Sequence, residues 1–235
     1  MATAPADQGT RERLVEAAKE LFSRDGYAGT GTRAIAARAG CNLSLIKHYF
    51  GSKAGLLLAV VEENLAGVRQ ALRGIVAGAG TPEEKLGRFI DLMVDNFDQN
   101  RKGMRVFHRE IVMSDTEILP DVRPIAGANV EMMGELIRSA VAARRAARSA
   151  AEGEADAHAG ADAEGEADAD AHADAEGEAD AELDPRFAAM LLMGMMQFYF
   201  IAYPVTSRVL AERSPELIAE LKRHIKRIFL RGVRG

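Results

Sequence analysis

The chain has no tryptophan, one cysteine among 235 residues and only 6% aromatic side chains. A single cysteine excludes an internal disulfide, and with it the small scaffolds that depend on several. No segment alternates apolar and polar residues with β-branched enrichment, so no sheet is expected. The sequence has no nucleophile elbow, no phosphate-cradling glycine loop, no paired carboxylates in an apolar setting and no metal-ligand spacing. An enzyme is therefore not expected, nor a cofactor or a metal. The first ten residues, Met1–Thr10, are small and polar and hold no apolar signal core.

Charge is missing from three places. Between Arg186 and Arg208 there is none of either sign. A membrane span needs roughly 20 mostly apolar residues, but Gln197, two tyrosines and Pro204 interrupt this stretch. It reads as a helix apolar all round, buried in protein, and no membrane partner is expected. Residues 151–182 hold thirteen acidic side chains and no Lys or Arg, so the net charge of −5 becomes +8 without them. From Gly26 to Val61 four basic residues stand with no acidic one. The overall charge balance therefore hides a basic N-terminal region suited to DNA.

What is present is helical periodicity. The 48% hydrophobic and 28% charged residues are in the globular range. Leu14, Ala17, Ala18, Leu21 and Phe22 form one face of a first helix, with Gly26 as its end. Thr30 is expected to cap a short second helix burying Ile35, Ala36 and Ala39. Ala39-Gly40 makes a corner, and Asn42 caps a third helix with Ile46 and Phe50 inside. Gly51-Ser52 starts a fourth, carrying Leu56, Leu57, Val60, Val61 and Leu65. Thr81-Pro82, Asp184-Pro185 and Ser214-Pro215 each pair a capping side chain with proline at the first helical position. Glu84 adds a capping box to the first of them. Met104, Phe107 and Ile111 mark another helix, Asp115–Pro124 reads as turn, and a long helix is expected from about Ile125 to Arg148. Residues 151–182 repeat with a period of twelve and have nothing to bury. They are expected to be a disordered insertion. A metal role for His158 and His172, or an acidic tether competing with DNA for the basic surface, are the functional alternatives.

Thr30–Lys53 reads TGTRAIAARAGCNLSLIKHYFGSK. Two short helices joined at a glycine corner make a helix-turn-helix, whose second helix fits the major groove. The apolar first helix, then Thr30, Ile35-Ala36 and Ala39-Gly40, then His48-Tyr49-Phe50 and Ser52-Lys53, resemble the DNA-binding domain of the TetR family of bacterial regulators. The resemblance covers residues 10–60, and the C-terminal half is similar more weakly. It implies an all-α fold, with a three-helix DNA-binding domain at 10–55 and a helical effector-binding and dimerisation domain at 56–235 interrupted by the acidic repeat at 150–183. It implies phosphate or groove-edge contacts from Thr32 and Arg33 and a base-facing Asn42, Leu43, Ser44 and Leu45. Backbone or base contacts fall to Lys47, His48 and Tyr49, and a phosphate to Lys53. Leu43 and Leu45 are more apolar than such a face usually is: they touch thymine methyls, or one packs inward. Ala54-Gly55 stands where the family often completes a capping box with glutamate.

The resemblance further implies a cytoplasmic, nucleoid-associated homodimer on a palindromic operator in double-stranded DNA, paired through its C-terminal helices, Phe187–Tyr203 with Met132–Val141. As a repressor it is released by a small, mostly apolar effector. Four of the ten methionines fall in Met190–Met196, and methionine suits adaptable pockets. The candidate pocket is Met93, Phe97, Phe107, Met133, Ile137, Met196 and Phe200, with ordinary core packing as the other reading. Cys41 in the turn is a redox switch or a small buried turn residue, and His108 is a surface or pocket-edge histidine or a metal ligand. The basic side of the last helix, Lys222, Arg223, Lys226 and Arg227, is a second binding surface or a solvated face. A sequence-tolerant, nucleoid-type DNA binder is the alternative to a specific regulator.

Overall fold

A computed structural model describes residues 5–114, 117–159, 185–206 and 214–231. Every regular element among them is helical. They are α1 (Pro5–Gly29), α2 (Thr32–Ala39), α3 (Ser44–Phe50), α4 (Lys53–Ala77), α5 (Pro82–Gln99), α6 (Arg101–Phe107), a π-helical turn (His108–Val112), α7 (Leu119–Ala159), α8 (Pro185–Thr206) and α9 (Pro215–Arg231).

Two apolar clusters organise these helices. The first joins Leu14, Ala18 and Phe22 of α1 to Ile35 of α2, Ile46 of α3 and the first turns of α4, including Leu56, Leu57, Val60 and Val61. Val106 of α6 and Val122 of α7 close it from below. The second joins Leu72 of α4 to Phe89, Ile90, Met93 and Phe97 of α5, Met133 and Ile137 of α7, Leu192 and Met196 of α8, and Ile225 of α9. The 25-residue α4 runs through both clusters, so one rigid rod joins head to body. Where the clusters meet, the apolar contacts give way to amides. Asn100 Nδ2 donates to Asn64 Oδ1 at 2.5 Å, and Asn64 Nδ2 lies 3.5 Å from the Met104 sulfur.

Local chemistry sets the boundaries. Thr81 and Glu84 form the expected capping box at α5. Ser214 Oγ accepts from the Leu217 N–H at the start of α9. α8 begins at Pro185, while its expected cap, Asp184, lies outside the described residues. Thr30 does not cap α2. It is buried, and its hydroxyl donates to the Gly26 carbonyl at 2.6 Å, while Gly31 takes the cap position. The reason is Gly26, which breaks α1 with φ 83° and ψ 163° and turns its carbonyl toward Thr30. Helix α7 starts inside the expected turn, at Leu119, and tolerates Pro124 in its second turn. It continues past Arg148 to Ala159, nine residues into the acidic repeat. Alanine and glutamate are strong helix formers, and a preformed helix propagates more easily than it nucleates. The remainder of the repeat, with His172, lies outside the described residues.

Two further expectations change. Helix α8 is apolar all round, yet only one side is buried: Ala188, Ala189, Leu192 and Met196 face inward. Met133, Leu136, Ile137 and Ala140 of α7 are buried with them in the same chain, while Glu135, Arg138 and Val141 of that stretch stay exposed. The basic side of α9 is partly occupied, since Lys222 pairs with Asp95 at 2.6 Å and Lys226 with Asp91 at 2.5 Å, pinning α9 to α5. No helix of the described residues is long and apolar enough to cross a membrane.

Candidate nucleic-acid interface

The corner between α2 and α3 is built from backbone hydrogen bonds. Gly40 adopts φ 62°, ψ 36°, a left-handed conformation that costs glycine nothing. This lets the Cys41 N–H reach the Ala36 carbonyl at 2.9 Å and the Gly40 N–H reach that of Ala37 at 3.2 Å, closing α2 as a Schellman motif. Asn42 Oδ1 then accepts from the Ser44 N–H and hydroxyl, both at 2.9 Å, and starts α3. Ile46 drops into the head cluster with 3% exposure, which fixes the rotation of α3 and so decides which side chains face outward.

Leu43, Ser44, Lys47 and His48 are exposed along one side of α3, with Asn42 ahead of them and Arg33 exposed on α2. Thr32 is half-buried at the first position of α2. Of the two leucines, Leu43 faces solvent at 40% exposure and Leu45 packs against the head cluster. Tyr49 also leans on that cluster, its ring 4.9 Å from His48 and 6.1 Å from Phe50. The Lys53 Nζ donates to the Thr30 carbonyl at 2.8 Å and stands 4.2 Å over the Tyr27 ring. That places it as a brace between α4 and the kink of α1.

Sequence reasoning passed over Arg11 and Arg13. The Arg11 guanidinium lies 5.4 Å over the Phe50 ring at the end of α3, and Arg13 reaches the Cys41 sulfur at 3.7 Å. Both extend the positive face of the head beyond α2 and α3. Arg11 stands three residues before Leu14, beside the buried face of α1, and Arg13 stands at its flank.

At Gly55 a methyl group would overlap the Phe50 carbonyl oxygen, because α4 leaves α3 almost in contact with it. Ser52 therefore caps α4 by accepting from the Gly55 N–H at 3.0 Å, and no glutamate follows to complete the box. Gly55→Ala is expected to destabilise the head by about 1–3 kcal/mol, read as a lower denaturant midpoint. An unchanged midpoint would show that the close approach is not required.

The head is fastened to the body through the π-helical turn. Glu110, 9% exposed, accepts from the Tyr27 N–H at 3.1 Å and from Arg109 Nε at 2.9 Å. Arg109 also donates to the Phe22 carbonyl and packs on Gly26. The Tyr27 hydroxyl donates to Glu117 at 3.0 Å. Burial first, then these carboxylates, pushes the Tyr27 hydroxyl up to about 12. Burial alone lowers the neighbouring His108, favouring its neutral form.

Of the seven expected pocket residues, Met93, Phe97, Met133, Ile137, Met196 and Phe200 do come together in the body cluster, with Phe97 and Phe200 stacked at 5.4 Å. Phe107 does not: it packs against the head cluster, as Val106 beside it in α6 does. Among the described residues no group of His, Cys, Asp and Glu is arranged to hold a metal.

A head of three short-linked helices whose third helix turns Lys47 and His48 outward, carried on a long rod into a larger helical body, has the helix-turn-helix architecture. Residues 14–60 match the model of the family described as bacterial regulatory proteins, tetR family. That match covers the head and the first turns of α4. The chain is 33% identical over 98 residues to the HTH-type transcriptional regulator BetI of Stenotrophomonas maltophilia, covering 41% of this chain and 50% of that one. To the HTH-type transcriptional activator FasR of Mycolicibacterium smegmatis it is 28% identical over 137 residues, covering 57% and 60%. The chain thus spans about half the length of the curated relatives it matches. In fold it superposes on the transcriptional regulator FadR of Bacillus subtilis, solved in complex with stearoyl-CoA, with a TM-score of 0.67, 16% identity and coverage of 95% and 99%. At that identity the likeness speaks for the fold of both domains.

Proposed function

We propose that this chain is a ligand-responsive repressor that binds palindromic operator DNA as a homodimer and is released by a small effector bound in its body. The observation that carries the DNA-binding part is the outer side of α3. Ile46 is buried, so Leu43, Ser44, Lys47 and His48 are all presented to solvent, within a stretch from Gly26 to Val61 that has no acidic residue. The major groove admits an α-helix of this kind, and polar, basic and small apolar side chains are those that read base edges and thymine methyls. Asn42 and Arg33 flank this surface, and Thr32 lies at the start of α2.

A second observation supports the dimer. Phe187, Met190, Leu191, Met195 and Phe198 of α8 are exposed, up to 72% at Phe198. They form a contiguous stripe with Gly194 at its centre, where a partner helix can approach closely. An apolar surface of this extent marks an interaction site, and a two-fold pair of heads matches a palindrome.

Selection of sites from random duplex DNA, followed by footprinting at about 150 mM salt, tests the reading. A discrete palindrome is expected, with a specificity ratio of roughly 10³ or more over non-specific DNA. Lys47→Ala is expected to lower affinity for the selected site at least about tenfold while leaving the dimer intact. Lys47 is the better choice than Tyr49, whose removal also disturbs head packing. Smooth coverage with steep salt dependence and no preferred site would instead identify a sequence-tolerant binder.

A further inference from the structure

Leu43 is the apolar member of an otherwise polar outer side of α3. It is 40% exposed, beside the exposed Ser44, Lys47 and His48, while Leu45 two residues on packs against the head cluster. Its backbone already has helical angles, φ −55° and ψ −35°, so it lies one turn before Lys47 on the same side of the helix. The turn that carries it is held by three hydrogen bonds. The Leu45 N–H donates to the Asn42 carbonyl at 3.1 Å, the Ile46 N–H to the Leu43 carbonyl at 3.2 Å, and the Ser44 N–H to Asn42 Oδ1 at 2.9 Å. With Ile46 buried beneath, the rotation of α3 keeps Leu43 on the side presented to solvent, at the leading end of the helix.

We infer that Leu43 reads the C5-methyl group of a thymine in each operator half-site, which makes one position of the half-site methyl-dependent. This rests on the proposed seat of α3 in the major groove. Of the groups that the base pairs present there, the thymine methyl is the apolar one, and the others are hydrogen-bond donors and acceptors. A leucine pressed on a purine N7, a guanine O6 or an exocyclic amine takes that group out of water and offers it no partner, which costs free energy. Pressed on a methyl, it removes two apolar surfaces from water and strands nothing polar. Lys47, one turn further on, supplies hydrogen-bond donors instead. One side of α3 thus carries an apolar and a cationic reader about 6 Å apart along the helix axis, within roughly two base-pair steps of each other.

Binding isotherms of the full chain on the selected duplex test the assignment, with uracil replacing thymine at one position at a time in both half-sites. Uracil differs from thymine by the methyl alone. At one position per half-site the replacement is expected to weaken binding roughly fifteenfold, about fourfold for each of the two methyls. With a cytosine at that position instead, 5-methylcytosine should bind roughly fifteenfold tighter than cytosine, again through two methyls. Leu43→Ala should bind the thymine and uracil duplexes within about twofold of each other, with an unchanged melting temperature because the side chain is exposed. Leu43→Met should keep the preference, and Lys47→Ala should weaken both duplexes while keeping their ratio. The inference is overturned if uracil is tolerated at every position, if 5-methylcytosine equals cytosine, or if Leu43→Ala keeps the thymine preference. A selected palindrome indifferent to uracil sinks the Leu43 assignment and leaves the regulator reading standing, whereas the absence of any selected site sinks the regulator reading and the assignment with it.

Discussion

Phe198→Glu is expected to convert the dimer into a monomer and to lower operator affinity at least about a thousandfold, while leaving the protomer's melting transition close to unchanged. Phe198 is 72% exposed in the single chain, so it supports no intrachain packing that the substitution could remove. Across a two-fold axis each substitution acts twice, placing two carboxylates in an apolar contact without partners. Burying an unpaired polar group costs about 1–3 kcal/mol by mutational measures, and a charge more. Two such costs raise the dimer dissociation constant by three decades or beyond, since about 1.4 kcal/mol is a factor of ten. Each head then binds its half-site alone, without the effective concentration that tethering supplies. Sedimentation velocity and a binding isotherm on the selected site check both parts. A variant that stays dimeric would place the dimer surface off α8.

Glu110→Ala is expected to destabilise the chain by about 2–3 kcal/mol and to weaken DNA binding beyond what the lost stability explains. The carboxylate answers two donors at once, the Tyr27 N–H and Arg109 Nε. Removing it strands both against the kink of α1. The figure is held below that of a fully buried pair because the Arg109 side chain is 39% exposed and water can reach it. Denaturant unfolding measures the first effect. Operator affinity, taken where the variant is still fully folded, measures the second. Unchanged affinity there would mean that the joint only holds the domains together and does not set the angle of the head. Glu110→Gln should recover part of both, since its carbonyl still accepts one hydrogen bond.

The N-terminal domain was largely legible in the sequence because its rules are local. Gly40 after Ala39 sets a left-handed corner, Ile35 and Ile46 set the inner faces, and what remains outward on α3 follows from a period of 3.6 residues. The positions that went astray were those where another segment intervened. Thr30 is an ordinary capping residue in sequence, but the broken turn at Gly26 offers it a buried carbonyl. Phe107 has the spacing of a pocket residue, but α6 packs it against the head cluster.

In the body the sequence supplied the apolar residues without their assignment. Helix α8 is rich in methionine and phenylalanine on every side, so its pattern alone could not divide the side that packs on α7 from the side left for a partner. By itself the sequence determined an all-helical chain, a helix-turn-helix at residues 30–53 and a basic head masked by an acidic repeat, because period, capping and charge are written along the chain. Only the tertiary structure decided which face of α8 is free and that Glu110 fastens the head, because each depends on residues far apart in sequence meeting across helices.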